Sequence, residues 1–265
     1  MTEQSIHRLT VVDSRNHVRG VSSLRVLDVL AGRRGEGIKE REGENLEKLL
    51  EEGIHLFVGD YLHQLSQDMP LRGIISYIME NKIGHIVLTD QKGTIRGIVT
   101  GSCILNRLPL REYGIQISEI ITPEVHTLTP ERTIREAVEK LASHNIRRLP
   151  IVEGGEIKGL ANAKTLLKEF TTPDLPSRTG FSEDDVDRAM GKTLESIRLK
   201  KPKTLREDND VVSLLEEMRE GDQRAFPILK EDRLKGIATP RDILCKLPSL
   251  MGIEEFLRLI QHEDM

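Results

Sequence analysis

The feature that most constrains this chain is a short stretch that recurs four times along it. Each copy begins with a glycine, passes through apolar and small residues to a hydroxyl or amide side chain, and continues as a helix-like run. The copies read GVSSLRVLD, GIVTGSCIL, GLANAKTLL and GIATPRDIL and start at Gly20, Gly97, Gly159 and Gly236. The steps between these glycines are 77, 62 and 77 residues. Because alternate steps match, the chain is predicted to be a duplicated pair of supersecondary units.

Each unit has the same predicted order of elements, β-α-β-β-α. In the last three units, the apolar face of a first helix begins 25 or 26 residues before the glycine. In the first unit the same count runs past residue 1, so this unit is expected to lack its N-terminal strand and most of its first helix. Three explanations stay open: a truncated chain, a misassigned start codon, or replacement of the missing part by the terminal segment GIEEFLRLIQ.

Composition excludes several classes of protein. The 265 residues are 37% hydrophobic, enough for buried cores, and no apolar run or leader pattern points to a membrane or to export, so a soluble cytoplasmic protein is expected. A net charge of −4 with 3% aromatic residues argues against a broad nucleic-acid surface. Cys103 and Cys245 lack metal-site or disulfide spacing, and we expect both thiols to be buried. The sequence shows no activated nucleophile, metal cluster or paired-carboxylate cleft, which predicts a protein that is not an enzyme.

The fourth copy carries the residues that best suit a ligand. Thr239 ends a strand, and Asp242 falls in the first turn of the next helix, where the helix dipole stabilises a carboxylate. The two carboxylate oxygens can accept hydrogen bonds from both hydroxyls of a ribose, while free backbone amides and Arg241 offer positive potential to a phosphate. The alternative is a helix cap by Thr239 and a favourable first-turn acid, with no ligand.

The other copies depart from this pattern, which predicts weaker sites. The second copy has Thr100 but Cys103 at the acid position, and a thiol is a poor acceptor. The first has Ser23 and an apolar residue three positions later. The third has Asn162 and Thr165, which can make fewer contacts than a carboxylate, and only neutral ones. A complete ribose contact is therefore predicted only in the fourth copy.

The segments IRRLPIVEGGEIKGLA and RAFPILKEDRLKGIATPRDIL resemble the CBS domain. CBS units pair into Bateman modules, and LAGRRGEGIKEREGENLEKLL is similar to the connector in archaeal four-CBS proteins that resemble the γ subunit of AMP-activated protein kinase. The resemblance implies an α+β fold of four β-α-β-β-α CBS units, arranged as two Bateman modules in a disc-like assembly. The implied boundaries are 1–112 for the first module (units 1–57 and 58–112), 113–250 for the second (unit 113–172, linker helix 173–190, unit 191–250) and 251–265 for a C-terminal helix or tail.

The resemblance also implies a regulatory protein that senses AMP, ADP or ATP and needs no cofactor. The ribose would lie on Thr239 and Asp242, and the adenine along Thr204 and Leu205. In the family, a basic pair before the second strand of each unit contacts the phosphates, which suits arginine because its planar fork makes paired hydrogen bonds to phosphate oxygens. The corresponding positions here are Arg147, Arg148 and Arg224, followed by His7, Arg8 and His85. The alternative is that these cations cover exposed strand ends or pair with acids.

A ligand that touches two paired units can bias their orientation, and the change would act on an effector protein in trans or on a second copy docked through the discs. Two other hypotheses stay open. One is a partner-docking scaffold whose ligand sites have decayed. The other is a sensor of S-adenosylmethionine or a related adenosyl compound.

Overall fold

The computed structural model of the protein describes residues 8–13, 18–32, 34–35, 54–59, 62–170 and 183–261. These residues form two compact units, which are called unit 1 and unit 2. The four β-α-β-β-α units of the sequence are called repeats. Unit 1 is drawn from 1–61 and 126–201, and unit 2 from 62–125 and 202–265. The two predicted modules, 1–112 and 113–250, therefore each contribute residues to both units.

The elements follow the four repeats in chain order. The first repeat comprises β1 (Arg8–Val12), β2 (Val18–Ser22) and α1 (Ser23–Ala31), and a short 3-10 helix follows at Ile54–Phe57. The second comprises β3 (Gln64–Ser66), α2 (Leu71–Asn81), β4 (His85–Thr89), β5 (Ile95–Thr100) and α3 (Gly101–Leu105). The third comprises α4 (Ile117–Ile120), α5 (Ile134–Ser143), β6 (Arg148–Glu153), β7 (Glu156–Asn162) and α6 (Ala163–Lys168). The fourth comprises α7 (Glu183–Gly191), β8 (Leu205–Arg206), α8 (Val211–Glu220), β9 (Phe226–Lys230), β10 (Arg233–Ala238) and α9 (Pro240–Met251), and α10 (Ile253–Gln261) follows it.

The predicted order β-α-β-β-α is present in the second and fourth repeats. Each has a three-stranded sheet in which the first strand runs parallel to the second and the second runs antiparallel to the third. In the third repeat the first strand is reduced to one parallel bridge between Leu128 and Ile151. The ladder stops there because the next donor position is Pro130, which has no N–H group.

Each unit has its own core, built from the predicted helix faces. In unit 1 the buried face of α5 comprises Ile134, Ala137, Val138 and Leu141. In unit 2 the buried face of α8 comprises Val211, Leu214, Leu215 and Met218. The terminal helix α10 buries Phe256, Leu257 and Ile260 in the unit 2 core, where it packs against α9 and α2. Its apolar face thus contacts elements of the second and fourth repeats.

Short lead-in segments pack each of the last two repeats against the other. We use this term for residues 115–122, which precede the third repeat's helix, and for residues 192–200, which precede the fourth repeat's first strand. In unit 2, the backbone of Thr122 exchanges two hydrogen bonds of 3.0 Å with Ile237 of β10. In unit 1, Leu160 of β7 donates its N–H to the carbonyl of Lys200 at 3.2 Å.

These lead-in segments explain two of the recurring glycines. A Cβ at Gly236 would lie 2.7 Å from Cδ1 of Ile121 and 3.0 Å from the carbonyl oxygen of Thr122. A Cβ at Gly159 would lie 2.6 Å from Cβ of Leu199. In both repeats the last strand, β7 or β10, therefore needs glycine so that the lead-in segment can lie directly against it.

Candidate functional site

The recurring hydroxyl or amide is a helix N-cap. Thr100 accepts a hydrogen bond from the N–H of Cys103 at 3.3 Å, and Asn162 accepts one from Thr165 at 3.0 Å. In the first repeat the cap is Ser22, which accepts from the N–H of Arg25 at 3.1 Å. The alignment that put Ser23 at this position was wrong by one residue, because the strand leads into α1 one residue earlier than in the other repeats. Ser23 is the first residue of α1 and is buried.

Asp242 in the fourth repeat adds a carboxylate to this geometry. Its side chain is buried, with an exposed fraction of 7%. Oδ2 accepts hydrogen bonds from the N–H of Thr239 at 2.8 Å and from the Thr239 hydroxyl at 2.5 Å. Oδ1 accepts from the hydroxyl of Thr122 at 2.9 Å. Thr239 and Asp242 therefore form a capping box, as the ligand-free alternative predicts, and Thr122 of the lead-in segment completes a three-residue cluster.

The cluster lies beside several cations of unit 2. Burial raises the pKa of the nearby Cys245 thiol; the positive charges of Arg241, Lys82 and Lys246 act in the opposite direction, and the charge of Asp242 adds to the rise. The ammonium of Lys246 donates to the carbonyl oxygen of Ile121. Two of these cations, Arg241 and Lys82, are exposed to solvent. The start of α9 thus combines one buried carboxylate with accessible positive charge.

The same helix end meets the second repeat. A Cβ at Gly84 would lie 3.7 Å from Cβ of Arg241, and a Cβ at Gly101 would lie 3.2 Å from Cβ of Pro240. Gly84 directly precedes His85, the first residue of β4. The structure therefore brings the segments that carry His85 and Arg241 together in unit 2.

Few backbone amides at this helix end are free. Pro240 has no N–H group, and the N–H of Asp242 is bonded within the capping box. The sequence-based expectation of several free amides is therefore wrong here. The positive charge at this helix end therefore comes mainly from side-chain cations.

The other residues predicted to contact a ligand are divided between the two units. Unit 2 holds Thr100, Thr204, Leu205 and Arg224, in addition to His85 and the cluster. Unit 1 holds Arg147, Arg148, Asn162 and Thr165, together with Ser23. His7 and the side chain of Arg8 lie outside the described residues.

Two of the predicted ligand contacts in unit 2 have local structural roles. The guanidinium of Arg224 donates to the carbonyl oxygens of Gly221 at 2.5 Å and Gln223 at 3.0 Å. Leu205 is half-buried and pairs in parallel with Ile228 of β9, whereas Thr204, just before it, is exposed. In unit 1, Arg147 is exposed and Arg148 is half-buried at the start of β6.

Sequence reasoning missed Thr122, Lys82 and Lys246. Lys82 lies two residues before the Gly84–His85 pair, so a wider window for basic residues before the second strand would have found it. The repeat spacing does not point to Thr122. The equivalent position of the fourth repeat, 77 residues later, is occupied by Leu199, which has no hydroxyl.

The cysteines also differ from expectation. Cys103 is exposed, and its sulfur accepts a hydrogen bond from the Thr100 hydroxyl at 3.0 Å, whereas Cys245 is half-buried. The expectation of two buried thiols is thus wrong for Cys103, which lies on the solvent side of α3, whereas Gly101 and Ile104 of the same helix are buried.

None of the helices that the structure describes is long and apolar enough to cross a membrane. In the same residues, no cluster of three or more histidine, cysteine, aspartate and glutamate side chains is arranged to hold a metal ion.

Comparisons with known proteins identify the family. An uncharacterised 33.4 kDa protein from the ribosomal RNA operon of Thermofilum pendens is 28% identical over 97% of this chain and 86% of its own length. The crystal structure of MJ1225 from Methanocaldococcus jannaschii, proposed to be an archaeal homologue of γ-AMPK, matches with a TM-score of 0.79 at 22% identity, covering 92% of this chain and 89% of that one. An uncharacterised conserved protein from Pyrococcus horikoshii matches with a TM-score of 0.58 at 16% identity, covering 91% of this chain and 90% of that one. The sequence model of the CBS domain matches residues 58–110, 117–171 and 194–249, more than half of the chain. The last three repeats of this protein are CBS domains, and the chain belongs to the CBS domain family.

Proposed function

We propose that this CBS-domain protein is a non-catalytic sensor of adenine nucleotides and that its main ligand site lies at the start of α9. The observation that carries the proposal is the buried carboxylate of Asp242, held by two threonine hydroxyls beside Arg241. It is the acid position that the family resemblance assigns to the ribose. Of the four repeats, only the fourth has an acid there.

The hydrogen bonds of Asp242 define how a ribose would bind. A carboxylate offers about four lone-pair positions. Thr122 occupies one position on Oδ1, and Thr239 occupies two on Oδ2 through its N–H and its hydroxyl. One ribose hydroxyl can therefore bind without rearrangement, but two require a threonine hydroxyl to turn away. Thr122 is the better candidate, because Thr239 has its backbone N–H bonded to the same carboxylate.

The phosphates would meet the exposed cations around the same turn. Arg241 and Lys82 are accessible, and His85 follows the glycine that packs against Arg241. Arginine can bind phosphate oxygens through two parallel hydrogen bonds, which a lysine ammonium cannot do. We assign Arg241 the principal phosphate contact. Arg147 and Arg148 lie in unit 1, and their contact with a phosphate stays a prediction.

A signal would arise from the competition for Asp242. Thr122 is four residues before His126, where the chain enters unit 1. A ribose that takes over Oδ1 releases the Thr122 side chain and alters the anchoring of the lead-in segment. The ligand can shift the protein only by its differential affinity for the two arrangements, so the Thr122 bond sets the scale of the response. The recipient would be an effector protein in trans or a second copy of the chain.

Calorimetric titration with AMP, ADP, ATP, adenosine and S-adenosylmethionine tests the proposal. In Asp242→Asn we expect nucleotide affinity to fall by about 1.5–3 kcal/mol, because charged hydrogen bonds to the ribose are lost. Asp208→Asn is the matched control, since its side chain is 61% exposed and pairs with Arg206 in the same turn. Far-UV circular dichroism of each variant checks that the helices remain folded.

Thr122→Val is the second arm of this titration. The variant keeps the branched shape and the backbone pairing with Ile237 but removes the hydroxyl that competes for Oδ1. Nucleotide should therefore bind more tightly to Thr122→Val than to wild type. Weaker binding would show instead that the hydroxyl contacts the ligand directly.

Other outcomes of the titration would favour a docking scaffold or a different ligand. If wild type binds none of the ligands, the repeats are a docking scaffold, and the satisfied capping box of Asp242 is purely structural. Equal binding of adenosine and ATP would remove the phosphate contact from the proposal. A preference for S-adenosylmethionine over all nucleotides would change the ligand class while keeping the ribose contact.

A further inference from the structure

Helix α9 holds the end of the lead-in segment at two successive turns. Thr122 donates its hydroxyl to Oδ1 of Asp242 at 2.9 Å. Four residues later on the same helix, the ammonium of Lys246 donates to the carbonyl oxygen of Ile121. Because residues four apart lie on the same face of a helix, one face of α9 bonds to two consecutive residues of the segment.

The bond from Lys246 fixes the peptide group that precedes the Thr122 side chain. This peptide group comprises the carbonyl of Ile121 and the N–H of Thr122, which in a trans peptide lie in one plane and point in opposite directions. The N–H donates to the carbonyl oxygen of Ile237 on β10 at 3.0 Å, while the carbonyl accepts from Lys246 on α9. The plane is therefore held from both sides, and this sets the direction in which the Thr122 side chain leaves the backbone.

The third repeat packs its lead-in segment without either bond to a helix. The residue equivalent to Thr122 is Leu199, which has no hydroxyl. The residue equivalent to Lys246 is Glu169, whose carboxylate has no hydrogen to donate and which pairs with Lys192 at 3.1 Å. The segment nevertheless lies directly against β7. The fold alone thus needs neither bond.

The second repeat offers nothing at this place for such residues to hold. Its glycine equivalent to Gly236 is Gly97, and within the part of the chain that the structure describes no atom lies within 4 Å of a Cβ there. The positions of the acid and the lysine are occupied by Cys103 and Arg107. Both bonds therefore accompany the repeat that carries the buried carboxylate.

We propose that Lys246 is a positioning residue of the nucleotide site, which directs the Thr122 hydroxyl onto Asp242 and thereby opposes binding of a ribose. The inference rests on the proposed function, in which the ribose and Thr122 compete for Oδ1. With Lys246 in place, the peptide plane stays fixed and the hydroxyl stays aimed at the carboxylate. Without it, the plane can rotate about its bond to β10, and the hydroxyl becomes a weaker competitor.

A double-mutant cycle separates this positioning role from the charge of the lysine. Lys246→Met keeps an apolar stem but removes both the donor and the positive charge. Loss of the charge changes nucleotide affinity by the same factor whether or not residue 122 has a hydroxyl, whereas loss of positioning tightens binding only when the hydroxyl is present. The cycle therefore measures Lys246→Met in the wild-type and Thr122→Val backgrounds.

Calorimetric titration of these four proteins with AMP, ADP and ATP gives the result. We compare the dissociation constant of each Lys246→Met protein with that of its parent. This ratio should be about threefold smaller in the wild-type background than in the Thr122→Val background, since one hydrogen bond is weakened only in the former. Lys246→Arg, which retains the charge and a donor, should bind nucleotide as wild type does.

Lys82→Met is the matched control variant. Lys82 is a second lysine whose charge acts on Cys245, and its removal leaves the bond between Lys246 and Ile121 in place. Its effect on nucleotide affinity should be the same in both backgrounds. Equal ratios for Lys246→Met in the two backgrounds would mean that this lysine acts through its charge alone, and the proposal would be overturned.

Urea unfolding of the same four proteins without nucleotide tests the positioning role independently. Lys246→Met should lower the unfolding midpoint less in the Thr122→Val background, because the hydroxyl that the lysine directs is absent there. Additive changes would overturn the positioning role. If wild type binds none of the nucleotides, the proposed function fails, while this measurement still decides whether Lys246 positions Thr122.

Discussion

Substitution of Gly236 by alanine should destabilise the protein, whereas the same change at Gly97 should not. A Cβ at Gly236 would lie 2.7 Å from Cδ1 of Ile121, 3.0 Å from its Cβ and 3.0 Å from the carbonyl oxygen of Thr122. Of these atoms only Cδ1 can move by a side-chain rotation. The other two belong to a lead-in segment whose backbone is bonded to Ile237, so the segment itself must shift.

The expected effect is the difference in the free energy of unfolding between Gly236→Ala and Gly97→Ala. Replacing glycine by alanine reduces the entropy of the unfolded chain, which stabilises the protein by about 0.4–1 kcal/mol at both positions. This contribution cancels in the comparison. Overpacking at Gly236 costs about 1–3 kcal/mol. If the segment moves far enough to lose both hydrogen bonds between Thr122 and Ile237, about 1 kcal/mol is added for each.

Urea unfolding followed by far-UV circular dichroism measures this difference. With a slope of about 2 kcal/mol per molar urea, a difference of about 2 kcal/mol moves the midpoint by about 1 M. Gly159→Ala, whose Cβ would lie 2.6 Å from Cβ of Leu199, should behave like Gly236→Ala. Equal midpoints for Gly97→Ala and Gly236→Ala would refute the idea that the lead-in segment requires the glycine.

Two further predictions concern titration and reactivity. The N–H of Thr133, which donates to Glu136 at 2.7 Å, lowers the pKa of Glu136 below its ordinary value of 4.5. The stability that this group contributes is therefore present above that pH and is lost as the pH falls through the folded-state pKa. Glu136→Gln should therefore reduce the loss of stability below pH 4.5, measured as urea midpoints on either side of that pH; an unchanged acid dependence would contradict this. In native protein, iodoacetamide should modify the exposed Cys103 before Cys245, because burial raises the pKa of Cys245 and keeps its thiol protonated. Mass spectrometry of peptides measures the two rates, and equal rates would refute the burial argument.

Local patterns predicted the elements of this fold well. The spacing of apolar residues predicted the buried faces of α5 and α8, because a helix with one apolar stripe has only one way to face a core. The recurring hydroxyl or amide after each glycine predicted a helix start, and in three repeats that residue is the N-cap. The first repeat differs by one residue, since Ser22 and Ser23 are both competent caps and only the length of β2 decides between them.

The candidate site was predicted less completely, because part of it is not local. Asp242 and Thr239 are three residues apart and could be read from one motif. Thr122 contacts the same carboxylate from 120 positions away, and no periodicity connects the two. At Arg224, a cation in the expected position donates to backbone carbonyls of its own turn, which the motif did not indicate. A motif identifies which residue types are present, but packing decides which of them face one another.

The double attachment of Thr122 limits what a ligand at Asp242 can do. Its hydroxyl bonds to the carboxylate, and its backbone bonds to Ile237 through two separate hydrogen bonds. A ribose competes only for the first attachment, so the lead-in segment should stay on β10 while the side chain turns. The free energy available for signalling is then that of one hydrogen bond to a charged group, about 1.5–3 kcal/mol. Since an energy of this size shifts a two-state equilibrium about tenfold to a hundredfold, it suffices only if the two arrangements are already close in free energy.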